Sequence, residues 1–304
     1  MIYKEPDKSN VCAVVITYYP DFDFPSRLKI ITQQVDRVLI VDNNSSSECI
    51  DILDQLSKHP NVHLIKNESN LGVATALNQA VEWAQAQRCD WLLALDQDTI
   101  PYTYMVEKLL ACLREVDNFD TVAIIGANYI NRIFGDIYVN ADNCGCSCME
   151  VVSVITSGSL LSLSAAQNIG RFRDDYFIDH VDDEYSLRAR LKGYKVMLSC
   201  EALMEHVICS PIHRKFLWKW LFSPNAPAFR RYYQARNHIA LIIEYFWNEP
   251  KWILQSIQVR IKECLLILLL EDEKFGKMCQ ILQGIIDGVL GRMGPRKRDI
   301  YKIG

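Results

Sequence analysis

No stretch of this sequence reaches the ~18 consecutive apolar residues that a membrane-spanning helix requires. The densest apolar run, Cys264–Leu270, is closed at once by Glu271-Asp272-Glu273. Residues 1–10 are polar, and the apolar run Val11–Ile16 is too short for a secretory signal before Tyr18-Tyr19-Pro20-Asp21. These absences set the expectation of a cytoplasmic protein, or of one resting on the cytoplasmic face of the inner membrane. Internal repeats and low-complexity tracts are also missing. So is a large charge of one sign: 33 Lys+Arg face 37 Asp+Glu, a formal net charge of -4. Half of the residues are apolar and 23% are charged, the balance of a globular chain rather than a disordered one. At 304 residues the chain is long enough for one large domain or two modest ones. Eleven cysteines are many, but an odd number fits poorly with a complete disulfide framework. Cys12, Cys89 and Cys264 sit in apolar runs and read as small core residues. Cys144, Cys146 and Cys148 lack the C-x-x-C spacing of a zinc site and read as a reduced loop.

The near-neutral total hides a split. Residues 1–206 hold 17 Lys+Arg against 29 Asp+Glu, whereas 207–304 hold 16 against 8. Between Val207 and Ile243 six Lys/Arg stand with no acid, interleaved with Phe216, Trp218, Trp220 and Phe222. Basic residues mixed with large aromatics suit an anionic membrane surface better than a nucleic acid. A packed helical appendage with a solvated basic face gives the same pattern. A division follows: a catalytic domain over 1–210 and a helical, basic extension over 211–304, open to membrane or homo-oligomer contact.

The first half alternates short buried runs with amphipathic segments. Val11–Thr17, Val35–Val41, Val62–Ile65, Trp91–Leu95 and Val122–Ile125 read as strands; Gly72–Gln85 and Met105–Val116 read as helices. That order predicts an α/β fold built on a mostly parallel sheet. Further on, Val151–Ile155, Ser159–Leu163 and Tyr194–Leu198 read as strands and Asp182–Lys192 as a helix. From about 211 the pattern reads as helical, with candidate helices Arg230–Tyr245, Trp252–Leu270 and Phe275–Leu290. In parallel sheets ligands bind at the carboxyl ends of the strands. Here those ends carry Thr17, Asp42-Asn43-Asn44, Asn67 to Asn70 and Asp96-Gln97-Asp98.

Asp96 and Asp98 emerge from the buried run Trp91–Leu95. Paired carboxylates there suit Mg²⁺ or Mn²⁺ bridging a diphosphate; one helix cap would not need two acids. Asp21/Asp23 has the same spacing but reads as an ordinary loop. Asp42 can accept hydrogen bonds from a base or ribose hydroxyl, or simply close an Asx turn. Asn70-Leu71-Gly72 opens a helix whose N-terminus favours anions. Asp182, at the next helix start, is a candidate general base, with Asp183 and Glu184 in support or surface roles. His206 is able to complete the coordination begun by Asp98.

In order and spacing these segments resemble the inverting glycosyltransferases of family 2, which have the GT-A fold, and within them the bacterial rhamnosyltransferase branch. The resemblance covers residues 11 to about 240. It rests on Val-Ile-Thr-Tyr-Tyr-Pro-Asp (15–21), Val-Asp-Asn-Asn-Ser (41–45), Asn-Leu-Gly-Val-Ala (70–74), Leu-Asp-Gln-Asp (95–98), Ser-Gly-Ser-Leu (157–160), Phe-Ile-Asp-His-Val-Asp-Asp-Glu-Tyr-Ser-Leu-Arg-Ala-Arg (177–190) and Tyr-Tyr-Gln-Ala-Arg-Asn (232–237). The resemblance implies that Thr17, Asp42 and Asn44 hold base and ribose, and that Asn70, Gly72, Asn78 and Gln97 line the donor site. It places Asp96 at ribose or metal, Asp98 and His206 on the divalent cation, Asp182 as catalytic base, and Arg236 at the donor diphosphate or acceptor. Val181 stands where many members carry a Glu beside the base. Cys209 stands where a glycine usually follows the metal-binding His.

The implied activity is transfer of L-rhamnose from dTDP-L-rhamnose to a growing cell-surface glycan of O-antigen or capsule type, whose acceptor end is lipid-linked or free. A galactofuranosyl or other hexosyl transfer from a UDP-sugar is equally compatible with the scaffold. A nucleotidyltransferase would want a Gly-rich, basic loop after the first strand, and Tyr18-Tyr19-Pro20-Asp21 is not one. A non-catalytic membrane scaffold would leave the strand-end acids unused.

Overall fold

The computed structural model describes residues 7–133, 135–139, 147–206, 212–216 and 218–296. Strand β1 (Val11–Thr17) is buried along its whole length, as expected of a central parallel strand covered on both faces. It lies between β2 (Arg37–Asp42) and β4 (Trp91–Asp96), both parallel to it, and β3 (Val62–Lys66) extends the sheet beyond β2. Beyond β4 run β8 (Ser159–Ser162), antiparallel, then β6 (Val122–Asn131) and β9 (Lys195–His206), which pair in parallel. The short strands β5 (Ile100–Pro101) and β7 (Cys148–Glu150) both add to β9.

Period-two alternation divides each strand between two cores. Cys12, Val14, Ile16, Leu39 and Val41 pack on one face, under α3 (Gly72–Ala86), α5 (Leu163–Ile169) and α6 (Val181–Leu191). Val11, Ala13, Val15, Val38 and Ile40 pack on the other, against α1 (Phe24–Thr32) and α4 (Met105–Glu115). A further helix, α2 (Ser47–Leu56), covers the β3 side. The C-terminal helices are α7 (Ala228–Tyr245), α8 (Pro250–Leu270) and α9 (Lys274–Val289). Leu241 and Tyr245 of α7 and Ile253 of α8 belong to the first of the two sheet cores.

Three local expectations change. Residues 212–223 form an antiparallel hairpin, β10 (Ile212–Phe216) and β11 (Lys219–Ser223), where the sequence suggests helix. Trp220 and Phe222, two residues apart, share one side of β11 and are exposed, a period that suits a strand. Residues 151–155 leave the sheet after β7 instead of continuing as a strand; Val154 packs so tightly on Gly126 that a Cβ there would lie 2.8 Å from it. Cys12 pairs with Cys89 and Cys112 with Cys148, Cα atoms 6.1 and 5.6 Å apart; Cys12, Cys89 and Cys112 are buried and Cys148 is half-buried. Cys144 and Cys146 lie outside the described residues.

The register brings the chemistry together. Thr17 stands opposite Asp42, and Ile16 opposite Asp96, so three strands end at one edge. Strand β9 skips residues 200–202 in its pairing with β6 and then runs on to His206, beside β5 and the turn that follows Asp96.

Candidate active site

At that edge lies a cleft of about 480 Å³. Its floor is the turn after β4. The Asp96 backbone N–H donates to Ser157 Oγ at 3.0 Å, and Ser157 Oγ in turn lies 2.5 Å from Thr99 Oγ1. Thr99 Oγ1 lies 3.3 Å from Nδ1 of His206. One ligand atom each from Asp96, Asp98 and His206 falls within 4.8 Å of the others. Burial raises the Asp96 carboxyl above the ordinary range; His206 opposes the rise and Asp98 adds to it. Two carboxylates beside an imidazole, with Asp96 at a buried position that penalises its charge, form a donor set able to hold a cation. Two hard oxygens and a nitrogen suit Mn²⁺ or Mg²⁺.

Asp182 faces the same cleft from the first turn of α6. Its Oδ2 accepts the Thr156 N–H at 3.2 Å and its Oδ1 accepts the Asp183 N–H at 3.0 Å. Burial, with the Asp183 carboxylate adjacent, pushes the Asp182 carboxyl up to about 7. Asp183 goes the other way. Burial alone would raise it, but His180 Nδ1, 2.7 Å from its Oδ2, brings it below the usual carboxylate range. Two neighbouring acids are thus driven apart, one held as an anion and one poised to take a proton. The helix entry is strained to achieve this: Phe177, Asp179 and His180 all have positive φ.

That strained entry is held by Arg236 and Asn237. Arg236 Nη2 donates to the carbonyls of Asp175 (2.9 Å) and Tyr176 (3.1 Å), and its Nη1 donates to Gly294 O. Asn237 Nδ2 donates to the carbonyls of Tyr176, Ile178 and Asp179 at 2.8–3.0 Å. Arg236, expected at the donor diphosphate or acceptor, is fully buried and is not among the residues that line the cleft. The cation that α7 does present is Arg230, whose Nη2 donates to Asp179 Oδ1 at 2.5 Å. Among the described residues it is the cleft's one Lys or Arg, and no sequence signal singled it out. Arg236→Ala should therefore act on stability. At ~1–3 kcal/mol for each buried group left unsatisfied, the loss should be at least about 3 kcal/mol, read as a lowered denaturation midpoint.

The other expected donor residues divide. Thr17, Asn70, Gly72 and Gln97 line the cleft. Gln97 spans Tyr18, accepting its N–H at 2.7 Å and donating to its carbonyl at 3.0 Å, which ties the ends of β1 and β4 together. Gly72, at φ +84°, lets α3 start directly under Phe177, whose carbonyl accepts the Val73 N–H at 2.8 Å. Asp42 lies beneath the cleft and does not line it. Its carboxylate accepts Thr17 Oγ1 at 2.8 Å, and both the hydroxyl and the N–H of Ser45. Asn44 turns through positive φ outside the lining, and buried Asn43 lines it instead. Asn78 is buried too and is not among the lining residues; it donates to Phe172 O at 2.9 Å and Asp174 Oδ1 at 2.7 Å, which fixes the approach to the strained entry.

Residues 24–140 match the model of glycosyl transferase family 2. That segment is 117 of the 304 residues. The chain is 26% identical to the dTDP-rhamnosyl transferase RfbF of Shigella flexneri, over 94% of this chain and 97% of the relative. The crystal structure of S. aureus TarS superposes with a TM-score of 0.54 at 13% identity, over 97% of this chain. This chain spans 46% of the TarS chain, about half its length. The mannosyltransferase PcManGT from Pyrobaculum calidifontis, in complex with GDP-Man and Mn²⁺, superposes with a TM-score of 0.58 at 14% identity, covering 93% of this chain and 88% of that one. The shared fold is GT-A. The matched segment contains Asp96, Gln97 and Asp98 but stops short of Asp182, His206 and Arg230; the register described above brings these later residues to it.

Proposed function

We propose that this glycosyltransferase moves L-rhamnose from dTDP-L-rhamnose onto a hydroxyl of a growing glycan, with inversion. The observation that carries the reading is Asp182, a carboxyl pushed up to about 7 in the same cleft as the Asp96, Asp98 and His206 cluster. Asp182 takes the proton of the acceptor hydroxyl as that oxygen bonds to the anomeric carbon. The bond to the nucleoside diphosphate breaks on the opposite face, and the diphosphate leaves with the electron pair. Asp98, His206 and Asp96 would hold a divalent cation, which when bound supplies positive charge to the diphosphate. Arg230 adds a second positive charge from the α7 side. The kinship with RfbF over nearly both whole chains supports rhamnose and dTDP over other donors.

A donor screen tests this. Thermal shift and hydrolysis should be measured with dTDP-L-rhamnose, UDP-galactofuranose and UDP-hexoses, each with and without Mn²⁺. Stabilisation and slow hydrolysis are expected with dTDP-L-rhamnose, and only with the cation. A stronger response to a UDP-sugar would replace the donor assignment, and a response to none would remove the function.

A further inference from the structure

The outer face of α9 inverts the usual order of a surface helix, which turns its apolar stripe inward and its charges outward. Across residues 275–290 the charged side chains are Lys277 and Asp287, and both face the protein. Lys277 Nζ donates to Glu271 and to Asn225, each at 2.7 Å, while Asp287 accepts the Tyr232 hydroxyl at 3.0 Å. The inner face reaches α7 through Gly284 and Gly288, where a Cβ would run into the carbonyls of Tyr232 and Arg236. The outer face carries Phe275, Cys279, Leu282, Ile286 and Val289, all exposed, at steps of four, three, four and three. That is the a/d spacing of a coiled-coil seam. On α8, Leu254, Ile261, Leu265 and Leu268 are exposed at steps of seven, four and three, which continue the same heptad. An apolar groove of about 380 Å³ runs between α8 and α9 over a floor of α7 that includes Ile239 and Ile242.

The area involved is that of an interface. Eleven large apolar side chains of α8 and α9 are between 37% and 84% exposed. At ~60–120 Å² for each side chain, the area behind its transfer energy, the exposed part comes to ~500 Å². That equals the apolar share of the ~800 Å² each partner buries in a standard complex. The exposed charges that frame the helices are of both signs: Lys251 and Lys262 on α8, Asp272 and Glu273 ahead of α9, and Arg292 after it. Mixed signs complement one another across a two-fold axis. An anionic bilayer would instead select a basic frame, and Asp272 and Glu273 stand directly before Phe275.

We propose that the α8–α9 face is a homodimer interface in which the exposed heptad seams of two copies of this chain pack together. Sedimentation velocity of the full chain over a concentration series should give a species of twice 35.0 kDa. The double variant Leu282→Glu/Ile286→Glu should raise the dimer dissociation constant at least ~100-fold and leave the circular-dichroism spectrum unchanged. Should that variant lose its fold, Phe275→Lys, at the most exposed position of the seam, repeats the test. A wild-type chain that stays monomeric throughout the series overturns the proposal, as does a folded variant that still dimerises. Vesicles of phosphatidylcholine and phosphatidylglycerol supply the remaining arm: a monomer that co-sediments with them through this seam would make it a membrane face and not a dimer interface.

Discussion

Asp182→Asn is expected to cut sugar transfer by about 10²–10⁴-fold while donor and cation binding stay intact. The amide is nearly the same size as the carboxylate, and its one carbonyl oxygen can keep one of the two backbone N–H bonds that Asp182 accepts from Thr156 and Asp183. What it loses is the ability to take a proton. The wild-type pH profile carries the same information. A general base works when ionised, and this one is pushed up to about 7. Activity should therefore rise with pH through about 7 and flatten above it, and the limb should vanish in the variant. Linkage adds an independent reading. A carboxyl raised by the fold binds its proton more tightly in the native than in the unfolded chain, so native stability falls as pH rises from the ordinary carboxylate range toward 7. Removing the charge should then raise Tm at pH 8. A more stable and inactive protein is the mark of a group strained for chemistry; a variant with near wild-type turnover would end its candidacy as base.

How far the sequence foretold this depended on how local each determinant is. Val11–Thr17 was legible in full because a strand covered on both faces must be apolar at every position. The strand-end acids were legible because parallel strands deliver their carboxyl ends to one edge. The hairpin at 212–223 was not, since its basic and aromatic residues serve a surface amphipathic helix as well as a strand. Arg230, Arg231 and Arg236 show the limit most clearly. All lie on α7, but at ~100° per residue they point in three directions. Arg231 meets Glu263 and Glu271, Arg236 meets backbone carbonyls, and Arg230 meets the cleft. Nothing in the local sequence tells which face of that helix turns toward Asp179. The same holds for Asn43 and Asn44, where the turn's positive φ decides which side chain enters the lining.

The second large effect concerns the cation. Asp98→Ala should remove Mn²⁺ binding, seen directly by calorimetric or paramagnetic titration, and lower donor turnover by about 10³-fold, since charge supplied to a leaving diphosphate is worth several kcal/mol. Chelation of the wild-type protein should give the same loss and re-addition of Mn²⁺ should reverse it; the variant should not recover. The cluster geometry explains why a single carboxylate matters so much. With Asp98 gone, Asp96 and His206 leave two ligands, too few to hold a divalent ion against water. Asp96 should then sit nearer the ordinary carboxylate range, because a neighbouring negative charge that raised it is gone. Read together, the two variants separate the two halves of the cleft. Asp182→Asn should bind Mn²⁺ and donor and fail at the proton, while Asp98→Ala should keep its base and fail at the cation. Mn²⁺ titration of Asp98→Ala indistinguishable from wild type would place the ion elsewhere, and would leave the convergence of Asp96, Asp98 and His206 at the end of β4 without a chemical purpose.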